Sequence, residues 1–174
     1  RTPGYVVRQV RRFLAEGVRG IYLCDGYEPD AGYGLDGPAL YAFGKALGDP
    51  GIDPERVLDE YVDGLFGEAA APMRKFYRAL FTRLDAYSLF DGPNEAVGAV
   101  GDSMKTHEDY FCHVFPPATL GEMRVNLDRA RERARDERVK AALTMVEAEF
   151  EHVQRIAHVF HVYRAYRARP TPVA

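Results

Sequence analysis

Acidic and aromatic side chains crowd a glycine-rich segment near the start of the chain. Asp25, Tyr27, Glu28 and Asp30 lie close together, and Tyr33 follows them. Carboxylates bind sugar hydroxyls and aromatic rings stack on pyranose C–H faces, so these residue types fit a carbohydrate-contacting loop. Asp25 and Glu28 also suit the carboxylate pair of glycoside hydrolysis, whose members lie about 5–9 Å apart. A solvated acidic loop that caps the next helix is the interpretation that the residues alone favour.

Histidines suggest a second chemistry, metal binding. His158 and His161 are three residues apart and would share one helix face, as some zinc ligands do. No third ligand stands at helical spacing, and the cluster His107-Glu108-Asp109 lacks zinc-type spacing, so we predict no metal site and no cofactor. Gly32-Tyr33-Gly34 is too short for a phosphate-binding glycine motif, and no Ser or Cys nucleophile motif occurs. The sequence assigns no catalytic residue.

Composition excludes several classes of partner. The 174-residue chain is 47% hydrophobic and 28% charged with a net charge of -3, so it can bury a core but has no basic excess for nucleic acid. The sequence contains no apolar run of about 18 residues, so no membrane span is predicted. Cys24 and Cys112 either form one disulfide or are buried separately as small hydrophobic residues, and we favour the second interpretation.

One buried strand is predicted, at Val18–Cys24. It follows a helix that Thr2 and Pro3 open and Gly17 ends, and Gly20–Cys24 are apolar and partly β-branched. A helix joined closely to a buried strand is typical of α/β units. The sequence offers this strand no partner for its backbone N–H and C=O groups. We therefore expect the chain to be part of a longer protein.

Helices are predicted for the remainder of the chain. Acidic caps followed by proline open helices at Asp36 and Asp53. A longer helix is expected over Glu68–Leu89, with its regular part beginning at Pro72.

The C-terminal third is predicted to hold two more helices and a short one. Thr106–Pro117 is aromatic without clear periodicity and is expected to be a short helix or irregular. Thr119-Leu120-Gly121-Glu122 resembles a capping box, which predicts a helix from Thr119 to about Arg135. Asp136 is predicted to cap a final long amphipathic helix.

Four stretches resemble a bacterial domain-of-unknown-function family, family 4838. They are residues 17–23 (GVRGIYL), 40–50 (LYAFGKALGDP), 53–61 (DPERVLDEY) and 66–77 (FGEAAAPMRKFY). The family is the barrel-end plus helical region of glycoside-hydrolase-like proteins, and its layout is similar to that of α-glucuronidases and hexosaminidases. Gly48 departs from the pattern, because the family usually has tryptophan there.

The resemblance implies a mainly α fold class: a helical bundle preceded by one α/β unit, the C-terminal fragment of a (β/α)8-barrel protein. Residues 1–36 would be the last helix–strand–loop unit of a TIM-like barrel, residues 37–168 a helical C-terminal domain and residues 169–174 a tail. Function in such barrels lies on the loops after the strands. Asp25, Tyr27, Glu28 and Asp30 are therefore expected to bind substrate.

The implied function is that of a carbohydrate-active, glycoside-hydrolase-like parent, to which this chain gives one sugar-cleft loop and a bracing helical domain. Its partners would be an oligosaccharide or polysaccharide and an upstream barrel domain in cis, with no nucleic acid and no membrane span. The catalytic carboxylates of related barrels come mostly from earlier strands, so this piece alone is expected to be inactive. The parent would be a secreted or a cytoplasmic bacterial protein. The alternative is a non-catalytic helical scaffold or protein-interaction module.

Overall fold

The computed structural model describes residues 1–21, 33–90 and 106–169. Within these ranges the chain forms seven α-helices and no β-strand, so the described protein is mainly α, as predicted. The helices are α1 (Pro3–Ala15), α2 (Gly37–Gly48), α3 (Pro54–Phe66), α4 (Ala70–Phe90), α5 (His107–Val114), α6 (Pro117–Arg133) and α7 (Glu137–Ala168). A 3₁₀ turn over Gly67–Ala69 leads into α4, so that helix begins before the expected Pro72. None of the described helices combines the length and the apolarity needed to cross a membrane.

Four helices begin directly after the residues predicted to cap them, Thr2, Asp36, Asp53 and Asp136, and all of these except Asp36 accept a backbone N–H. The Thr2 side chain accepts the Tyr5 N–H at 3.1 Å. Asp53 accepts the Glu55 N–H at 3.1 Å, and Asp136 accepts the Arg138 N–H at 2.7 Å. Each of these hydrogen bonds satisfies a backbone donor that the first turn leaves without a helical partner.

The predicted strand does not appear where the structure describes it. Val18–Ile21 follow α1 without strand pairing, and residues 22–24 lie outside the described residues. Gly17 has φ +83°, and the Val18 N–H donates to the Phe13 carbonyl at 2.9 Å. This is a glycine cap that closes the end of α1. The prediction was wrong at Val18 because its backbone donor completes the helix end and is not free for a neighbouring strand.

The capping box predicted at Thr119 was also wrong. Helix α6 begins at Pro117 with Pro116 as its cap, so Thr119 lies inside the first turn. Proline at the first helical position needs no N–H partner and holds the preceding residue extended, which sets an earlier start. A capping box exists instead at α5, where Thr106 and Asp109 exchange hydrogen bonds.

Aromatic side chains fill the main core, which lies between α3, α4, α6 and α7. Phe66, Phe76, Tyr77 and Phe150 are fully buried. The rings of Phe76 and Phe150 meet edge to face at 5.4 Å between centroids, which joins α4 to α7. Such contacts add to the burial of each ring, itself worth about 1.5–3 kcal/mol.

A smaller core joins α1 to α2 and α3. Its buried residues are Val7, Val10, Ala42, Ala46 and Val57. The N-terminal helix α1 therefore packs on α2 and α3, which follow residues 22–32 in the chain. The domain boundary predicted at residue 36 stays a prediction.

Candidate functional site

The four predicted substrate-binding residues, Asp25, Tyr27, Glu28 and Asp30, lie outside the described residues. Their segment enters the described structure at Tyr33, whose side chain is exposed. The turn over residues 34–36 then leads into α2. The structure therefore shows how the C-terminal end of the predicted loop is held.

A carboxylate on α7 anchors this turn. Glu149 Oε1 accepts the Gly34 N–H at 2.7 Å, and Glu149 Oε2 accepts the Leu35 N–H at 2.7 Å. From α4, the hydroxyl of Tyr77 donates to the Gly34 carbonyl at 2.5 Å. Three hydrogen bonds thus fix two consecutive residues, and those to an ionised carboxylate are stronger than neutral ones.

Close packing explains the glycines in and after the turn. A Cβ on Gly34 would lie 2.8 Å from the Cα of Val146, and a Cβ on Gly37 would lie 2.2 Å from the Tyr61 hydroxyl. Any larger residue at Gly34 would push the turn away from the α7 backbone. The pair of glycines around Tyr33 therefore includes one whose role is packing.

Burial keeps the anchoring tyrosine protonated. Tyr77 is fully buried, which raises its pKa well above the usual value of 10, and the nearby Tyr61 and Glu149 add to this shift. Burial raises the pKa of Tyr61 as well. A neutral Tyr77 has a hydroxyl proton to donate to the Gly34 carbonyl, so the anchor persists through the neutral pH range.

An apolar cavity of about 830 Å³ opens beside the anchored turn, between α4, α5 and α7. Its lining residues are Arg1, Leu35, Asp36, Leu80, Leu84, Tyr110, Phe111, Phe115, Met145, Ala148, Glu149, His152 and Val153. Both Glu149 oxygens already accept backbone N–H groups, which leaves Arg1, Asp36, Tyr110 and His152 as polar groups for a ligand. Burial raises the pKa of Tyr110, and the charge of Asp36 contributes. The cavity can accept a flat apolar face next to one carboxylate.

The histidine and acidic clusters have structural partners. His161 Nε2 donates to the Phe115 carbonyl at 2.9 Å, because a carbonyl can only accept. Glu108 and Asp109 both pair with Arg164, at 3.0 Å and 2.9 Å. Among the described residues, no three histidine, cysteine or acidic side chains come together as metal ligands would.

Cys112 is a free, buried cysteine. Burial raises the pKa of its thiol, with the nearby acidic residues adding to the shift and Arg164 opposing it. A thiol in that state is a poor nucleophile, since the thiolate is the reactive form. The interpretation of Cys112 as a small hydrophobic residue is confirmed, and Cys24 lies outside the described residues.

Sequence reasoning missed Glu149 as a functional side chain. It lies three residues after Val146 and four before Val153, so it occupies the apolar stripe of α7. A carboxylate in such a stripe needs a partner, which is the signal that could have identified it. The partner itself is 115 residues away in the chain, beyond the reach of helical periodicity.

Comparison of the chain with protein-family models, curated proteins and solved structures found no significant match. The resemblance to family 4838 therefore stays a prediction.

Proposed function

We propose that this chain is the C-terminal part of a carbohydrate-active, glycoside-hydrolase-like protein. In this proposal the segment before Tyr33 contacts the sugar and the helical bundle braces the barrel that carries the reaction. The observation that carries it is the double anchor of the following turn by Glu149 and Tyr77. A loop held rigidly at its end loses less entropy when it binds a ligand.

The chemistry near the turn supports a sugar ligand. Carbohydrate sites combine aromatic faces with a few carboxylates, and the adjoining cavity brings Tyr110, Phe111 and Phe115 near Asp36. Asp25, Tyr27, Glu28 and Asp30 would supply the remaining carboxylates and one more ring. The resemblance over residues 17–84 to glycoside-hydrolase-like proteins points to the same ligand class.

Binding measurements on the full-length protein test the proposal. Asp25→Ala and Glu28→Ala are each expected to weaken oligosaccharide binding about tenfold in calorimetry, the effect of losing one charge-assisted hydrogen bond. Glu149→Gln should also weaken binding, because the loop loses part of its anchor. Glu132→Ala, an exposed acidic change on α6, is the matched control. The proposal fails for this loop if Asp25→Ala and Glu28→Ala bind and turn over oligosaccharides like the wild type.

An interaction module is the second candidate function, and one surface of α7 favours it. Val159, Val162, Tyr163 and Tyr166 are 63%, 54%, 50% and 59% exposed. Their spacing places all four on one helix face, the pattern by which an amphipathic helix binds a groove or another helix. Within the described structure this face has no covering element.

Charge indicates the kind of partner that would fit this face. Residues 152–169 contain four arginines, three histidines and no acidic residue. Arg164 and Arg167 are paired with Glu108, and Arg155 is paired with Glu151. His158 borders the apolar face at an exposed position, and Arg169 has no ion pair among the described residues. Like charges would oppose a second copy, so the expected partner is an amphipathic helix with acidic flanks.

Two designed peptides distinguish this function from non-specific hydrophobic binding. Both carry leucines at i, i+3, i+4 and i+7, and one has glutamate flanks while the other has lysine flanks. The acidic peptide is expected to bind saturably in calorimetry, and Val162→Asp or Tyr166→Asp should abolish that binding. Equal binding of both peptides, or binding of neither, would rule out the acidic partner.

A further inference from the structure

A small pocket of about 150 Å³ lies between α4 and α6, away from the anchored turn. Its lining residues are Ala71, Pro72, Lys75, Asn126, Arg129 and Arg133. Pro72 and Asn126 are buried and form its floor, while the three basic side chains are exposed around them. The pocket shares no residue with the cavity beside the turn.

The three cations of this pocket have no counter-ion among the described residues. Within the described ranges, the side chains of Lys75, Arg129 and Arg133 take part in no ion pair or hydrogen bond. Nearby basic residues differ: Arg74 bonds Asp59 and Asp63, and Arg131 pairs with Glu147. Three uncompensated positive charges around one concavity favour an anion there.

At the floor of the pocket, the side-chain oxygen of Asn126 needs a hydrogen-bond donor. Asn126 is only 4% exposed, and its Nδ2 donates to the Glu122 carbonyl at 2.9 Å. That bond fixes the orientation of the amide, because the amide oxygen could not face a carbonyl. Asn126 Oδ1 is buried and has no hydrogen-bond partner among the described residues. A buried acceptor without a donor is rare in folded proteins and calls for a ligand or an ordered water.

We propose that this pocket binds a phosphate group that keeps one O–H. Lys75, Arg129 and Arg133 would neutralise its charged oxygens, and its hydroxyl would donate to Asn126 Oδ1. Inorganic hydrogen phosphate and a singly protonated phosphomonoester both have this chemistry. Sulfate has similar size and shape but no proton to donate at neutral pH, so the buried acceptor discriminates against it.

Titrations with inorganic phosphate, sulfate and a sugar monophosphate test the site at about pH 6, near the second pKa of a phosphomonoester. Chloride keeps the ionic strength constant, and amide NMR spectra report the affinity and the Asn126 side-chain resonances. Phosphate is expected to bind about tenfold more tightly than sulfate, the worth of one hydrogen bond to a charged group. Tighter binding of the sugar monophosphate than of inorganic phosphate would identify a monoester as the ligand, and the reverse order would identify free phosphate.

Four pocket variants and one control variant make the test specific to these residues. Lys75→Gln, Arg129→Gln and Arg133→Gln are each expected to weaken phosphate binding about tenfold. Asn126→Leu should remove the preference for phosphate over sulfate. Arg138→Gln removes an equal charge from an exposed position outside the pocket and should leave the affinity unchanged.

The proposal is overturned if no saturable phosphate binding occurs, if sulfate binds the wild type as tightly, or if Arg138→Gln weakens binding as much as Arg129→Gln. The last result would indicate a diffuse ion atmosphere. The outcome is independent of the proposed sugar function, because oligosaccharide binding and phosphate binding are measured with different ligands at different residues.

Discussion

Two polar side chains at helix interfaces, Glu149 on α7 and Asn126 on α6, differ in how fully their hydrogen-bonding capacity is used. Both Glu149 oxygens accept backbone N–H groups from the turn at residues 34 and 35. Asn126 donates to Glu122, but its oxygen accepts from no described residue. A buried polar group with all its hydrogen bonds stabilises the fold, whereas one without a partner destabilises it until a ligand or a water forms the missing hydrogen bond. The first region is therefore a structural anchor and the second is prepared for a ligand.

Glu149→Gln is expected to show the largest loss of stability. Glutamine keeps one acceptor oxygen but turns an amide N–H₂ toward a backbone N–H, so one partly buried donor loses its bond and faces another donor. The free energy of unfolding should fall by about 2–3 kcal/mol, measured by urea denaturation.

Glu151→Gln is the matched control for this change. Glu151 lies on the same helix, and its carboxylate makes only long ion pairs, to Arg155 at 3.4 Å and to Arg124 at 3.9 Å. Partly exposed pairs of this kind contribute about 0–1 kcal/mol. If both variants lose the same small amount of stability, Glu149 is not an anchor.

Tyr77→Phe should cost less, about 1–1.5 kcal/mol, because it removes one neutral hydrogen bond. The ring and its packing against Phe76 and Phe81 remain in place. Thermal and urea unfolding measure the loss. Tyr41→Phe is the control, since Tyr41 is partly exposed and keeps its ring contact with Tyr61. Equal losses in the two variants would show that the hydroxyl of Tyr77 contributes nothing.

The cost of Tyr77→Phe should also depend on pH. Burial raises the folded-state pKa of Tyr77 above its usual value of 10. Above pH 10, Tyr77 ionises in the unfolded chain but stays protonated in the folded chain. The wild type therefore loses stability as the pH rises. Phenylalanine has no proton to lose, and the gap between variant and wild type should therefore narrow above pH 10. A gap that stays constant across this range would contradict the buried, protonated state.

The sequence predicts the parts of this fold that depend on local chemistry. The caps at Thr2, Asp53 and Asp136 act within two or three residues, so their side chains reveal the helix starts directly. The start of α6 was misplaced because two local signals compete there, a proline at Pro117 and a Thr–Glu pair two residues later. The proline prevails because its fixed φ already matches the helix.

The anchored turn could be predicted only in part. Glycine-rich composition marks the segment as a loop, and Tyr33 and Asp36 fall in it as expected. Its attachment joins Gly34 to Tyr77 and Glu149, which lie 43 and 115 positions later in the chain. No periodicity encodes contacts at such separations, which arise from the packing of α4 and α7. The pocket at Asn126 was missed for the same reason, because its cations come from two helices.

Asn126→Leu is expected to have the smallest effect on stability, and its sign separates the two regions. Leucine fills nearly the same volume without a polar atom, and the Glu122 carbonyl keeps its helical partner. In chloride buffer the variant should be as stable as the wild type or up to about 1 kcal/mol more stable, because the unsatisfied oxygen is gone. Added phosphate should reverse that order. At a concentration ten times its dissociation constant a ligand stabilises the folded state by about 1.4 kcal/mol, and only the wild type would gain the full amount. A loss of stability in chloride as large as that of Glu149→Gln would mean that Asn126 is a structural anchor too, and the contrast between the two regions would disappear.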